Sequence, residues 1–236
     1  MKRLFLTIFI LTAAVSAYAM DYNASLAKMP GYAESTEKGI LVDLVKAISS
    51  ESGEKINLVV EPFARSINNV VSGKVDFHMP LIAIPDVDTA TLGYDYSTET
   101  IFHVNFVLYT KKGSGITIDN LKDSKVETDI AHLPYFNFPV IGSSNLELSL
   151  KKVNAGRIDA FIFADFASDP LVKKNSFTNI KRDLFKVYNV KIVLPKGGNG
   201  GKTDIFLSEI IANLRANGTY NKIIGPIDMP YDNWQP

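Results

Sequence analysis

A short pattern that occurs twice constrains the fold of this chain more than any other feature of its sequence. Residues 72–76 read Ser-Gly-Lys-Val-Asp, and residues 155–159 read Ala-Gly-Arg-Ile-Asp. In each copy a glycine that suits the end of a helix precedes a mainly apolar run that suits a buried strand. The copies lie about 80 residues apart, which is too long for a solenoid repeat and fits two similar lobes. We therefore predict an α/β chain folded as two lobes with a cleft between them.

Residues 1–19 have the features of a secretory signal peptide. Lys2 and Arg3 precede the apolar run Leu4–Val15, and the small-x-small triplet Ala17–Ala19 follows it. The alternative, a membrane anchor, is disfavoured because this run is shorter than the roughly 20 residues that span a bilayer. We expect cleavage, a mature chain that begins near Met20, and export to the periplasm.

Charge and cysteine content exclude several classes of function. The 25 Lys and Arg residues balance the 25 Asp and Glu residues, which argues against electrostatic capture of nucleic acid or of an anionic membrane. The chain has no cysteine and therefore no disulfide, no thiolate metal site and no cysteine for a lipid anchor. We expect a soluble periplasmic protein, with secretion into the medium as the alternative.

Hydrophobic periodicity predicts helices and strands that alternate along the chain, as in folds with a parallel sheet. Helices are predicted over 39–48, 67–73, 145–154, 170–175, 203–217 and 220–224. Strands are predicted over 56–60, 75–81, 102–110, 126–130, 158–163 and 187–194. Loops are predicted over 21–38, 86–100 and 132–142.

Five motifs spread over nearly all of the mature chain resemble one known family. The most specific is the C-terminal run Leu214–Ile223, which reads Leu-Arg-Ala-Asn-Gly-Thr-Tyr-Asn-Lys-Ile. The others are Gly39–Leu44, Ser72–Asp76, Tyr96-Ser97 and Ala155–Asp159. Together they resemble the periplasmic solute-binding proteins of family 3, the polar amino-acid type that serves ABC importers.

The resemblance implies a type II periplasmic-binding-protein fold, with two α/β lobes joined by two crossing hinge strands. The crossings are expected near Phe106–Thr110 and Val190–Leu194. Lobe one is then built from residues 20–108 and 194–236, and lobe two from residues 109–193. Such a protein binds its ligand beyond the carboxyl ends of strands and closes over it.

Two features that hold the ligand carboxylate in this family are missing. The family's clamping arginine follows the second strand of lobe one, where residues 84–91 contain two aspartates and no arginine. The family's Gly-Ser/Thr turn at a helix N-terminus is replaced by residues 129–135, Asp-Ile-Ala-His-Leu-Pro-Tyr. A free α-amino acid held in the family's usual way is therefore not expected.

Two charged residues are candidates for contacting a ligand. Asp165 resembles the family's lobe-two carboxylate, which pairs with a ligand ammonium; the alternative is a cap for the helix that follows. Arg65 opens a helix, where an anion can lie between the helix end and the guanidinium; the alternative is a solvated surface arginine.

Aromatic residues and one strand end are the other candidates for the binding site. The aromatic candidates for pocket walls are Tyr32, Phe63, Tyr96 and Tyr135. Met79 and Pro80 lie at the expected end of a lobe-one strand, where ligands bind in open α/β sheets. Each of the aromatic side chains has packing in the core as its alternative role.

No metal and no cofactor are predicted. The three histidines, His78, His103 and His132, are scattered and lack metal-ligand spacing. The acidic residues of segment 86–99 are typical of a solvated loop.

The sequence therefore predicts a periplasmic monomer that captures a small polar solute, amino-acid-like or another small organic molecule, for an ABC importer permease. The first alternative is a sensor that signals to a membrane-bound kinase or cyclic-dinucleotide enzyme, because both roles need the same cleft and hinge. The second is a dehydratase-like enzyme, for which Asp165 and Glu99 are the candidate acids or bases. We expect binding rather than catalysis, since no serine, cysteine or metal constellation is present.

Overall fold

A computed structural model describes residues 21–85 and 87–236. The predicted signal peptide, residues 1–19, lies outside the described residues. Within the described ranges, no helix has both the length and the apolar character needed to cross a membrane.

The described chain alternates strands and helices, as the periodicity predicts. The strands are β1 (Asp21–Ala27), β2 (Lys55–Glu61), β3 (Phe77–Ile82), β4 (Tyr94–Lys111), β5 (Val126–Asp129), β6 (Ile141–Ser143), β7 (Ala160–Ala164) and β8 (Ile180–Pro195). The helices are α1 (Ile40–Ser52), α2 (Phe63–Val71), α3 (Leu146–Ala155), α4 (Asp165–Lys174), α5 (Lys202–Ala216) and α6 (Thr219–Ile224). Short 3-10 helices lie at Thr89–Thr91, Ile118–Asp123 and Ile130–Tyr135.

All eight strands form one sheet in the order β2-β1-β3-β8-β4-β7-β5-β6. At one end β1 pairs in parallel with β2 and β3, and at the other end β5 pairs in parallel with β6 and β7. The two long central strands, β4 and β8, are antiparallel to each other and to their outer neighbours. The sheet therefore consists of two parallel units, lobe one with β1–β3 and lobe two with β5–β7, joined by two crossing strands.

The crossing strands carry the chain from one lobe to the other. Residues Val190–Val193 of β8 pair with β3 in lobe one, and residues Phe106–Thr110 of β4 pair with β7 in lobe two. The β4–β8 register shifts between Tyr96 and Phe102, and again at Phe106. Such irregularities bend and twist a ladder, which suits a hinge. The lobe boundaries at 108/109 and 193/194 stay a prediction.

Lobe one is assembled from both ends of the described chain. Helix α1 buries Leu41, Leu44 and Ile48, and α5 buries Leu207 and Ile211. These helices pack against each other, so residues beyond the second crossing complete the core that the first residues begin. Helix α1 ends at Gly53, whose positive φ of 73° favours glycine.

The repeated aspartates have the same structural role in both lobes. Asp76 accepts a hydrogen bond from the Asn23 backbone N–H on Oδ2 (2.7 Å) and donates its own N–H to the Asn23 carbonyl (2.8 Å). Asp159 accepts from the Lys125 N–H (2.7 Å) and donates to the Lys125 carbonyl (3.1 Å). The aspartate just before β3 or β7 is thus bonded to the central parallel strand of its lobe, at Asn23 within β1 or at Lys125 just before β5. The repeat predicted from the sequence is a repeated connection between neighbouring strands.

The predicted loop over 21–38 is wrong at its start, because β1 is the central strand of lobe one. Tyr22, Ala24 and Leu26 are buried on it, and buried Ser25 Oγ bonds to Ser66 Oγ (2.8 Å). Short polar side chains have low strand propensity, which made this segment resemble a loop. Backbone pairing with β2 on one side and β3 on the other overrides that preference.

Four other predicted boundaries also need correction. Strand β4 begins at Tyr94 within the predicted loop 86–100, and β8 begins at Ile180, because the two strands pair over their whole length. The predicted loop 132–142 contains the first residues of β6, which pairs with β5. Helix α4 begins at Asp165; the prediction started it at Pro170, since proline favours the first turn of a helix.

The C-terminal segment, residues 225–236, leaves α6 in lobe one and runs over the crossing strands to lobe two. His103 donates its backbone N–H to Asp228 Oδ1 (2.8 Å), and the Asn105 side-chain amide donates to the Met229 carbonyl (3.0 Å). Further on, Lys112 Nζ donates to the Pro236 carbonyl (2.5 Å). The segment therefore forms a third connection between the lobes.

A buried arginine anchors this segment to lobe two. The fully buried Arg182 side chain forms a two-bond ion pair with Asp169, with Nε–Oδ1 2.8 Å and NH2–Oδ2 2.5 Å. Its NH1 group donates to the carbonyls of Asp232 (3.0 Å) and Trp234 (2.6 Å), and its guanidinium lies over the Trp234 ring. A buried charge needs such partners, because removing one leaves an uncompensated ion.

The repeated aspartates provide a test of this account of the fold. Asp76→Ala and Asp159→Ala each remove an acceptor of a backbone N–H, so we expect each to lower the free energy of unfolding by about 1 kcal/mol. Guanidinium unfolding at constant m measures the change. The matched control is Asp123→Ala, an exposed aspartate before β5, with an expected change below about 0.5 kcal/mol. Losses no larger than that of the control would contradict the account.

Candidate ligand-binding cleft

A cavity of about 450 Å³ lies between the two lobes and over the crossing strands. Lobe one contributes Met29, Tyr32, Phe63, Pro80, Leu81, Ile82 and Ile84. Lobe two contributes Ala131, His132, Pro134, Tyr135, Phe163, Ala164 and Phe166. The crossing strands contribute Phe102, Val104, Phe106 and Val190. Both lobes and both crossing strands therefore form the walls of one cleft.

The floor of the cleft is one face of β4. Phe102, Val104 and Phe106 alternate along this strand, so their side chains point to the same side of the sheet. All three are buried, and Phe102 is paired with Val190 on β8. The floor is therefore apolar and aromatic.

The ends of two strands reach the cleft from opposite lobes. Strand β3 contributes Pro80, Leu81 and Ile82, and β7 contributes Phe163 and Ala164 near its end. Ligands of open α/β sheets bind beyond the carboxyl ends of strands. The cleft is therefore where the topology places a ligand.

The lobe-two wall is a cluster of rings. The His132 ring lies 4.9 Å from Tyr135 and 5.0 Å from Phe163, centroid to centroid, and Tyr135 stacks on Phe106 at 6.2 Å. Asp129 orients this wall, since its Oδ1 lies 3.0 Å from His132 Nδ1 and accepts from the Ala131 N–H at 3.0 Å. The 3-10 helix that replaces the family's Gly-Ser/Thr turn thus presents rings to the cleft.

Tyr32 of lobe one meets lobe two across the cleft. Its ring lies 5.7 Å from Phe166 at the start of α4 and 5.8 Å from Phe102 on the floor. Burial, and to a lesser extent the nearby Asp165 charge, raise the pKa of Tyr32 to about 12. The Tyr32 hydroxyl is therefore a neutral group at physiological pH.

Phe63 forms the outer part of the lobe-one wall and packs edge-on against a buried histidine. The ring centroids of Phe63 and His78 are 5.8 Å apart. His78 Nδ1 lies 2.7 Å from Ser66 Oγ, and burial lowers the pKa of His78 to about 4. His78 is thus neutral at pH 7 and supports the wall by packing.

Four of the candidate site residues line the cleft, and four lie elsewhere. Tyr32, Phe63, Pro80 and Tyr135 line the cleft. Met79 is fully buried in β3, paired with Leu26. Tyr96 packs against Tyr94 and donates its hydroxyl to the Ile82 carbonyl (3.3 Å), in a separate small core.

The two charged candidates lie outside the cavity lining. Arg65 is exposed on α2. Asp165 is half-buried, and both of its oxygens accept hydrogen bonds, Oδ2 from the Asn105 amide (3.0 Å) and Oδ1 from the Phe166 N–H (2.7 Å). Burial raises the pKa of Asp165, while these two hydrogen bonds oppose the shift. A ligand-binding role for either residue stays a prediction.

No lysine, arginine, aspartate or glutamate lines the cleft within the described ranges. Its polar groups are the Tyr32 and Tyr135 hydroxyls, the His132 ring and backbone atoms. Among the residues placed in the structure, no group of three or more histidines and carboxylates is arranged to hold a metal ion. The arrangement therefore suits binding of an organic molecule through rings and a few hydrogen bonds.

Most of the lining residues were not singled out from the sequence. The period-two pattern of Phe102, Val104 and Phe106 is a signal for one shared face, but it does not show that this face meets a cleft. Phe163 and Phe166 flank Asp165 in the sequence, and both line the cavity. Near Asp165, the rings of these two neighbours, rather than the carboxylate itself, form part of the cavity wall.

Comparisons with known proteins agree with this architecture. A model of the bacterial extracellular solute-binding proteins, family 3, matches residues 22–225. No curated protein sequence matches the chain. The glutamate-bound GluR0 ligand-binding core from Nostoc punctiforme has a TM-score of 0.63 at 17% identity, over 88% of this chain and 100% of its own.

Two further solved structures share the fold. A histidine kinase sensor domain similar to periplasmic binding proteins has a TM-score of 0.61 at 18% identity, over 88% of this chain and 96% of its own. The substrate-binding protein of an amino acid ABC transporter has a TM-score of 0.56 at 20% identity, over 88% of this chain and 98% of its own. At these identities the likeness is one of fold.

The buried His78 gives a pH-dependent prediction. Its pKa is near 6.5 when unfolded and about 4 when folded, so the unfolded state takes up the proton first as the pH falls. We expect the free energy of unfolding to fall by roughly 3 kcal/mol between pH 7 and pH 4 through this residue alone. His78→Asn should flatten that part of the curve in urea unfolding across this range. Equal slopes in the wild type and the variant would contradict the assignment.

Proposed function

The chain belongs to the bacterial extracellular solute-binding proteins, family 3, and on that premise we propose that it captures a small organic solute by closing its two lobes over the central cleft. One observation carries the proposal: a single cavity has walls from both lobes and a floor from the crossing strands. A ligand there contacts both lobes at once. It therefore stabilises the closed arrangement over an open one, in which half of its contacts are lost.

The crossing strands supply the hinge for this movement. The irregular register between Tyr96 and Phe102 lies where β4 leaves lobe one, and the shift at Phe106 lies where it begins to pair with β7. Rotation there separates Tyr32 from Phe166 and opens the cleft. Hinge closure of this kind brings walls together without rebuilding either lobe.

We propose delivery to an ABC importer as the purpose of capture, from a monomer in the periplasm. The family membership and the fold shared with the substrate-binding protein of an amino acid ABC transporter support this role. The predicted signal peptide supports the location. The importer permease would recognise the closed lobes.

A sensor is the second candidate, and a specific observation favours it. A histidine kinase sensor domain has a TM-score of 0.61 to this chain, with 96% of its own length covered. In that role the closed lobes would signal to a membrane-bound kinase or cyclic-dinucleotide enzyme. Neighbouring genes discriminate the two roles, since permease genes favour import and a kinase or cyclase gene favours sensing.

Binding is favoured over catalysis by the positions of the candidate acids. The Glu99 carboxylate is paired with the Arg215 guanidinium and lies outside the cavity lining. Asp165 already accepts two hydrogen bonds and also lies outside the lining. Within the described ranges, no carboxylate lines the cavity as a general acid or base.

Closure can be measured directly because the sequence contains no cysteine. The variant Thr36→Cys/Asn137→Cys places one nitroxide label on each lobe at exposed positions, and the pair Thr36→Cys/Ser50→Cys places both on lobe one. The protein is first unfolded and refolded to remove carried ligand. Amino acids, amines, organic acids, neutral ring compounds and oligopeptides are then screened by thermal shift.

A compound at a hundred times its Kd adds about 2.7 kcal/mol of stability, which raises the Tm by several degrees. The same compound should shorten the 36–137 label distance and leave the 36–50 distance unchanged. A compound that raises the Tm without changing the 36–137 distance would contradict capture by closure. If no compound in the panel raises the Tm, the result would count against a small-molecule receptor.

A further inference from the structure

The lining of the cleft restricts the charge of its ligand. The residues that form it are hydrocarbon side chains and rings, apart from the polar tips of Tyr32, His132 and Tyr135. A carboxylate or ammonium that enters such a cavity loses its water and meets no opposite charge among the described lining residues. Burial of an unpaired ion is strongly unfavourable.

Two carboxylates close in sequence to lining residues have partners within the protein. Asp165 accepts from Asn105 and from the Phe166 N–H, and Asp129 lies 3.0 Å from His132 Nδ1. The arginine that the family places after β3 is replaced by a stretch that includes Ile84, whose side chain lines the cavity. The usual anion partner is thus missing, and the described lining residue of this stretch is the apolar Ile84.

The rings that line the cleft pack against one another and give it aromatic walls. Phe106 lies 6.2 Å from Tyr135 and 5.6 Å from Phe163, and Tyr32 lies 5.8 Å from Phe102 and 5.7 Å from Phe166. Aromatic pairs at such distances gain from stacked and edge-to-face contact. A ligand ring that buries apolar surface against these walls gains from transfer out of water.

His132 supplies one directed hydrogen bond. Its Nδ1 is next to the Asp129 carboxylate, which can only accept, so Nδ1 carries the proton and donates. When the ring is neutral, its other nitrogen, Nε2, is then an acceptor, and His132 is one of the residues that line the cavity. It suits a hydroxyl or N–H on the ligand.

We propose that the ligand is a neutral molecule built on an aromatic or similarly planar ring, with one hydroxyl or N–H group that donates to His132. This inference rests on the proposed function, because it names the ligand class of the same cleft. It departs from the small polar, amino-acid-like solute predicted from the sequence. The amino-acid complexes among the similar structures contain glutamate, glutamine or arginine.

The test uses N-phenyl-1-naphthylamine, a neutral probe in which one N–H joins a phenyl ring to a naphthalene ring system. Its fluorescence rises in apolar surroundings. Refolded protein should bind one equivalent saturably and show a raised Tm. Indole and 4-methylphenol, both neutral rings with a donor, should displace the probe. L-glutamate, L-glutamine and L-arginine at the same concentration should not.

Variants at the rims of the cleft test the location. Phe63→Ala and Phe166→Ala remove lining rings that are 42% and 49% exposed, so the fold should tolerate them. We expect each to weaken probe binding at least fivefold. The matched controls are Val71→Ala on the same helix as Phe63 and Ile205→Ala on α5, which are similarly exposed and outside the cavity. These should bind as the wild type does.

The His132→Phe variant tests the directed hydrogen bond. It keeps a ring in the wall and removes the acceptor, so the preference for 4-methylphenol over toluene should fall about tenfold, while toluene binding changes little. An unchanged preference would overturn the role of His132.

The outcomes separate this inference from the function on which it rests. Amino acids that close the 36–137 distance while the probe fails to bind would overturn the ligand class and leave capture by closure intact. Probe binding that is equal in wild type, Phe63→Ala and Phe166→Ala would place it on another apolar surface and overturn the inference. If neither class of compound binds or closes the cleft, both the inference and the proposed function fail.

Discussion

Strands β4 and β8 run antiparallel across the whole molecule, from Tyr94 opposite Pro195 to Lys111 opposite Ile180. This pairing sets the relation of the two parallel units, because each unit joins the sheet through one of these strands. It also builds the floor of the cleft, since the face that bears Phe102, Val104 and Phe106 lies between the lobes. The irregular register within the pairing supplies the hinge. The fold, the cavity and the proposed closure therefore depend on one two-stranded ladder.

The C-terminal segment adds a third connection beyond the region matched by the family model, which ends at residue 225. The Arg182–Asp169 pair holds its end on lobe two, and Asn105 joins it to the start of α4 by bonding to both Asp165 and the Met229 carbonyl. Asp165, the family's ligand carboxylate by resemblance, thus belongs to a network that continues into the segment. Any rotation of the lobes has to be accommodated by these contacts.

Much of the fold could be predicted from the sequence, because local signals and the family resemblance agree. The repeated aspartates marked equivalent strand entries, and helix periodicity marked α1 and α5. Strand β1 was missed because its short polar residues have low strand propensity. In the structure, backbone pairing on both sides outweighs that preference. The site was predicted less well, since a pocket wall depends on which buried ring faces a gap. Tyr96 and Phe106 are both strand aromatics, yet only Phe106 lines the cleft.

The measurement that tests the account most directly is a crystal structure of the refolded protein grown with N-phenyl-1-naphthylamine. The account predicts one probe molecule between the Phe63 and Phe166 walls, its N–H directed at His132, with the lobes closed through a rotation at β4 and β8. A probe bound outside the cleft, or a carried amino acid bound in the cleft in place of the probe, would contradict the ligand class. A cleft that stays open around any bound compound would contradict capture by closure.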